Sequence, residues 1–174
     1  DKVNPKRFYA VDAVAGLLYS SEDGGATFHT DTLQLAVKTL RRGNASLTNR
    51  RGDPRGGQDR IYSTPGREGD LWIAAYLYHS TTRTGFDFRA LDKVRTIYAF
   101  GFGKAKPGSN YPALYLIGVV NGQYGFFRSD DAAVSWVRIN DDAHQYGLVL
   151  HICGDMQEYG RVYIGTHGRG IVTG

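Results

Sequence analysis

Short runs of alternating or wholly apolar residues recur along this chain and end in clusters of Gly, Ser, Asn and Asp. Period-two alternation predicts β-strands, because successive side chains point to opposite faces of a sheet. On this reading strands cover Phe8–Val11, Gly16–Ser20, Asp70–Ala74 and Tyr76–His79. Others cover Thr96–Phe102, Ala113–Val120, Tyr124–Arg128 and Trp136–Ile139, and the last lie at Arg161–Gly165 and Gly170–Val172. No long stretch holds the period of an amphipathic helix, and Thr32–Leu40 has room for one helical turn. No apolar run approaches the roughly 20 residues that cross a bilayer as a helix, so no membrane partner is expected.

One motif repeats within that pattern. Ser21-Glu22-Asp23-Gly24-Gly25-Ala26-Thr27-Phe28 reads Ser-x-Asp-x-Gly-x-Thr-aromatic. Ser129-Asp130-Asp131-Ala132-Ala133-Val134-Ser135-Trp136 has the same form with Ala for Gly and Ser for Thr. A decayed copy, Ser80 to Phe88, keeps the leading Ser and a closing aromatic but carries Thr82 in place of Asp. The copies start 59 and 49 residues apart and each follows a similar apolar approach strand. A four-stranded propeller blade takes about 40–50 residues. The expected fold is therefore all-β. It is a partial β-propeller of about three four-stranded antiparallel blades plus a closing strand, in one domain over 1–174. The blades fall at approximately 1–64, 65–110 and 111–174, and a polar, basic loop takes up about 41–60.

Each copy is an Asp-box, a hairpin turn whose side chains bond its own backbone. Structural roles fall to Ser21, Asp23, Gly25, Thr27, Phe28, Ser80, Ser129, Asp131, Ser135 and Trp136. Gly25 supplies a positive φ, and the closing aromatic is expected to pack under the turn, into the gap between sheets. The competing reading of Asp23 or Asp131 as a catalytic carboxylate is disfavoured, because a turn Asp is occupied by its own backbone. Trp72 and Trp136, in strand or box positions, read as core.

Composition agrees with a turn-rich β protein: 23 Gly, 12 Tyr and 8 Phe stand against one Met and one Cys. The net charge of +4 is local. Seven Lys and Arg lie between Lys38 and Arg60 against only Asp53 and Asp59, with no aromatic residue for base stacking. That is a solvated loop, with polyanion contact as the alternative and no nucleic-acid partner expected. Cys153 is the only cysteine, which excludes an intrachain disulfide, and its apolar neighbours make it a buried small hydrophobe. The five His are scattered without metal-ligand spacing, and Gly168-Arg169-Gly170 is a short turn; no metal and no cofactor is expected. The N-terminus shows no signal-peptide pattern. Asn44-Ala45-Ser46 is a glycosylation sequon, which fits a secreted protein.

Gly101-Phe102-Gly103-Lys104-Ala105 is followed in order by Tyr111-Pro112-Ala113-Leu114-Tyr115, Arg138-Ile139-Asn140-Asp141-Asp142 and His144-Gln145-Tyr146-Gly147. Tyr159-Gly160-Arg161-Val162-Tyr163-Ile164-Gly165-Thr166-His167-Gly168-Arg169-Gly170-Ile171 completes the series. This ordered set resembles the C-terminal end of family 74 glycoside hydrolases, over roughly residues 70–174. The resemblance implies two seven-bladed propellers face to face across a cleft for a branched β-1,4-glucan such as xyloglucan. It also implies inverting hydrolysis by two Asp residues, one from each propeller, spaced to admit a water. Neither Asp has a match here, so no catalytic residue is assigned. Partners implied are a β-glucan or xyloglucan oligosaccharide, and the remainder of a parent enzyme or a self-association partner. Loop-borne candidates for sugar contact are Tyr111, His144, Gln145, Tyr146 and Arg169. Packing of His144 and Tyr146 between blades is the competing reading. A non-catalytic, lectin-like propeller and a purely structural one remain the alternatives.

Overall fold

The computed structural model describes residues 1–12, 15–33, 60–74, 77–81 and 86–174. Asn44, the basic loop through residue 59, the expected helical turn beyond Leu33 and Thr82 of the middle box lie outside them.

Every regular element among the described residues is a strand. Four antiparallel sheets form, each built in chain order. The first is β1 (Phe8–Asp12), β2 (Leu17–Ser21) and β3 (His29–Thr32). The second is β4 (Ile61–Ser63), β5 (Leu71–Ala74), β6 (Leu77–Ser80) and β7 (Arg89–Ala90). β8 (Val94–Gly103), β9 (Ala113–Val120), β10 (Gln123–Ser129) and β11 (Val137–Arg138) make the third. The fourth is β12 (Val149–Gly154), β13 (Val162–Thr166) and β14 (Ile171–Thr173). The all-β expectation holds, but the sheets divide the chain elsewhere than at 64/65 and 110/111. The first of those points falls inside the β4–β5 hairpin and the second inside the β8–β9 hairpin. In each of the first three sheets one further strand follows the box before the next sheet begins. β4 and β7 are also too short to display alternation.

The described residues through Leu91 form one compact unit and those from Asp92 form another. Each unit packs two sheets face to face. In the first, Leu18, Leu33, Leu71, Ile73, Tyr78 and Phe88 make the core, flanked by Tyr9, Val11, Ile61 and Phe86. In the second, Ala99, Ala113, Tyr115, Ile117 and Phe126 of one sheet meet Val149, Ile152, Val162 and Ile164 of the other. β8 and β12 approach backbone to backbone: a Cβ on Gly101 would collide with the Ile152 carbonyl oxygen, so only Gly fits.

Trp72 is fully buried, as expected. Trp136 is only half-buried, and its indole Nε1 is buried without a partner. Cys153 is exposed rather than core. Alternation along β12 explains it: Ile152 points inward, so His151 and Cys153 point out.

Both intact boxes form the expected bonds. Ser21 Oγ donates to Asp23 Oδ1 at 2.8 Å and accepts from the Gly25 amide at 2.9 Å. Asp23 then accepts from the Thr27 amide at 2.9 Å and its hydroxyl at 2.6 Å. The second copy repeats this with Ser129, Asp131, Ala133 and Ser135, at 2.8, 2.9, 2.9 and 2.5 Å. Phe28 departs from the expectation, being 48% exposed. His29 pairs with Ser20, so Phe28 lies on the face opposite Leu18, and only the Leu18 face meets the second sheet. Phe88, in the decayed copy, lies on the core face and is 4% exposed.

Candidate functional site

The polar stretch between β11 and β12 is folded by its own side chains. Asp141 Oδ1 accepts from the amides of Ala143 and His144 at 2.9 and 2.8 Å and contacts His144 Nδ1 at 2.6 Å. Asn140 ties this turn to the sheet: its Oδ1 accepts from the Phe126 amide at 2.8 Å, and its Nδ2 donates to the carbonyls of Asp141 and His144 at 3.0 Å. Gln145 Nε2 donates to the Asp141 carbonyl at 3.2 Å, while its Oε1 is buried without a partner. Tyr146 and Gly147 both turn through positive φ, 55° and 67°. The Tyr146 ring then lies at 6.1 Å from Phe126, nearly parallel, and at 6.1 Å from the His144 ring.

These groups border a cavity of about 370 Å³ within the second unit. Phe126, Ile139, Val162, Ile164 and Val172 form its apolar wall, and Arg128, Asn140, Asp141, His144 and Tyr146 its polar side. Arg128 is fixed at the far end: it pairs with Asp130 at 3.2 Å and lies over the Tyr159 ring at 5.0 Å, and the Tyr159 hydroxyl donates to Asp130 at 2.9 Å.

The charge state of the site is set by these bonds. The hydrogen bond with the His144 ring, aided by backbone amides, holds the exposed Asp141 carboxyl below the usual range. Asp142 is paired with Arg138 at 2.6 Å. A general acid needs its pKa raised, usually by burial. The carboxyls of Asp23, Asp131, Asp141 and Asp155 are displaced downward.

The structure brings His144 and Tyr146 to the cavity and places Gln145 beside it. Arg169 is exposed in the β13–β14 turn, at the same end of the fourth sheet, where the His167 amide donates to the Leu148 carbonyl at 2.9 Å. Tyr111 is separated from them. It precedes β9, at the end where Lys104 bonds Asp155, while the Asp141 turn enters β12 at the other end. Arg128, Asn140 and Asp141 also line the cavity and were not among the sequence candidates, although Asn and Asp four and three places before a His signal a side-chain-bonded turn.

The first unit holds a buried polar cluster that periodicity does not reveal. Asp70 Oδ1 accepts from Thr64 Oγ1 at 2.5 Å and contacts His79 Nε2 at 2.9 Å. Trp72 Nε1 donates to Thr64 Oγ1 at 3.0 Å, and its ring stacks on His79 at 3.8 Å. The cluster ties the β4–β5 turn to the cross-strand pair Trp72–His79.

Comparison with known proteins agrees with the motif series. A xyloglucanase of a Paenibacillus species is 44% identical over 180 residues, taking 99% of this chain and 16% of that protein. Xyloglucanase Xgh74A of Acetivibrio thermocellus is 44% identical over 177 residues, taking 100% of this chain and 19% of its own length. This chain is a stretch of family 74 glycoside hydrolase sequence. The crystal structure of the Niastella koreensis family 74 enzyme superposes on 99% of this family 74 stretch with a TM-score of 0.78 and 36% identity, covering 23% of that enzyme. The Xanthomonas campestris family 74 xyloglucanase does so with a TM-score of 0.73 and 34% identity, again over 23% of its chain. No family model matches. The family 74 stretch described here thus spans less than a quarter of the proteins it resembles.

Proposed function

We propose that this chain forms the C-terminal blades of a propeller in a secreted glycoside hydrolase that acts on xyloglucan or related β-1,4-glucans by inversion. The observation that carries this reading is the 44% identity with two xyloglucanases along the whole chain. Each sheet is a blade. The first lacks its opening strand and the last its closing strand, which refines the expected three blades. The chain contributes architecture and glycan contacts, and the two catalytic acids lie in the rest of the parent. Contacts come from His144 and Tyr146 with Gln145 beside them, and from Arg169; Tyr111, at the other end, is a separate contact point.

The test is reducing-end release from xyloglucan by residues 1–174 alone. No turnover is expected. Turnover would place the acids inside this chain and overturn the division of labour. Calorimetry with xyloglucan oligosaccharides then addresses contact: His144→Ala should weaken binding about tenfold, and unchanged affinity removes the loop from the site. The side-chain-bonded turn of Asn140, Asp141 and His144 beside the cavity also favours a second reading, a non-catalytic carbohydrate-binding propeller. Glycan binding by a parent that never hydrolyses β-glucan would select it.

A further inference from the structure

The chain holds one Asn-Gly step, Asn121-Gly122, and one Asp-Gly step, Asp23-Gly24. In such steps the side-chain carbonyl carbon can be attacked by the next backbone nitrogen, because glycine puts no side chain in the way. Both steps have room for it: a Cβ on Gly24 or Gly122 would meet nothing within 4 Å. Asp23 and Asn121 are both exposed. The two steps differ in what holds the reacting atoms.

At Asp23-Gly24 both partners are tied. Asp23 Oδ1 accepts from Ser21 Oγ at 2.8 Å and from the Thr27 amide at 2.9 Å, and Oδ2 accepts from the Thr27 hydroxyl at 2.6 Å. The Gly24 amide donates to the Lys6 carbonyl at 2.8 Å. The same bonds hold the carboxyl far below its usual range, and an ionised carboxylate resists nucleophilic attack.

Asn121-Gly122 is the two-residue turn of the β9–β10 hairpin, with φ of 51° and 80°, closed by the pair Val120–Gln123. The Asn121 amide donates to the Lys93 carbonyl at 2.8 Å. Among the described residues neither the Asn121 carboxamide nor the Gly122 amide has a hydrogen-bond partner. Asp92, Lys93 and Arg95 border the same recess as the turn, of about 450 Å³. Two cations against one acid there favour the amide anion through which attack proceeds.

We infer that Asn121 is a site of spontaneous covalent modification, deamidating through a cyclic imide with Gly122, and that the box bonds shield Asp23-Gly24 from the matching isomerisation. The Gly122 nitrogen bonds to Asn121 Cγ, the Cγ–Nδ2 bond breaks, and ammonia leaves with the proton from Gly122. Water then opens the imide. Attack at Cγ gives Asp, and attack at the backbone carbonyl carbon gives isoaspartate. Either product sets a new carboxylate at the recess of Lys93 and Arg95. Isoaspartate also lengthens the main chain by a methylene, in a hairpin whose register is fixed by the length of its turn. At Asp23 the same ring would form with loss of water.

The test holds the folded full chain at mildly alkaline pH, with the chain in denaturant as reference, and maps its peptides by mass spectrometry over time. Isoaspartate is read by methyltransferase labelling. The folded chain should lose the Asn121 amide and gain isoaspartate at 121 before any appears at 23, while in denaturant both sites react. Thr27→Val, which removes the hydroxyl bond to Asp23, should bring isoaspartate to 23 with the fold retained by circular dichroism; no increase there overturns the shielding by these bonds. An Asn121 amide that survives in the folded chain and is lost in denaturant overturns the modification site. Isoaspartate forming at 23 as fast in the folded chain as in denaturant overturns the shielding, and both of these outcomes are read on the unaltered chain.

Discussion

The turns at Ser21–Phe28 and Ser129–Trp136 carry nearly the same hydrogen bonds on different backbones. The first runs through Gly24 and Gly25, at φ of 81° and 90°; the second through Ala132 and Ala133, at 54° and 70°. An L-residue pays about 1–2 kcal/mol in that region. The second turn keeps its shape because Ser129 and Asp131 bond the backbone so fully. The middle copy, Ser80–Phe88, completes the lesson. It has lost its Asp yet buries its aromatic, while the copy at 21–28 keeps the Asp and exposes Phe28. Carboxylate and aromatic do separate jobs: one closes a turn locally, and the other joins neighbouring sheets.

That separation predicts a ranked set of effects. Phe88→Ala should cost the most, about 3–5 kcal/mol of unfolding free energy by denaturant melts, since it empties a buried site. Phe28→Ala should cost under about 1 kcal/mol in the isolated chain; equal losses would refute the division of roles. Ser21→Ala and Ser129→Ala should each cost about 1–2 kcal/mol, because each strands a buried or partly buried amide. Ala133→Gly should stabilise by about 0.5–1 kcal/mol, the released strain being partly offset by chain entropy. Gly25→Ala should do the reverse. A destabilised Ala133→Gly variant would mean that the second turn carries no strain.

The smallest effect is on acid titration. Hydrogen bonds from Thr27 and Ser21 lower the Asp23 carboxyl strongly. For Asp131, desolvation pushes upward, and the bonds from Ser135 and Ser129 outweigh it. Both carboxyls are lower when folded than when unfolded, so their contribution is present above the ordinary range near pH 4 and is lost as pH falls. NMR titration should find both midpoints below that range, with Asp23 the lower. The opposite order would contradict the accounting.

The repeat, the strands and the box bonds were legible because each rests on local chemistry: alternation, and side chains that reach their own backbone. The sheet boundaries were not, since two- and three-residue strands such as β7 and β4 carry no period. The faces of Phe28 and Cys153 depend on which side of a sheet finds a neighbour, which no local pattern states. The distance between Tyr111 and the Asp141 turn was hidden for a related reason. Both lie in Tyr-containing polar loops, and only strand order assigns them to opposite ends. The cavity beside β14 is the space left between two sheets, and it has no sequence signature of its own.

We propose that these 174 residues are one stretch of a larger xyloglucan hydrolase. Intact mass spectrometry of the protein purified from its source tests it most directly. A polypeptide about five times the 19.2 kDa of this stretch or larger is expected, given the 19% share of its Acetivibrio relative. A mature protein of 19.2 kDa would contradict it.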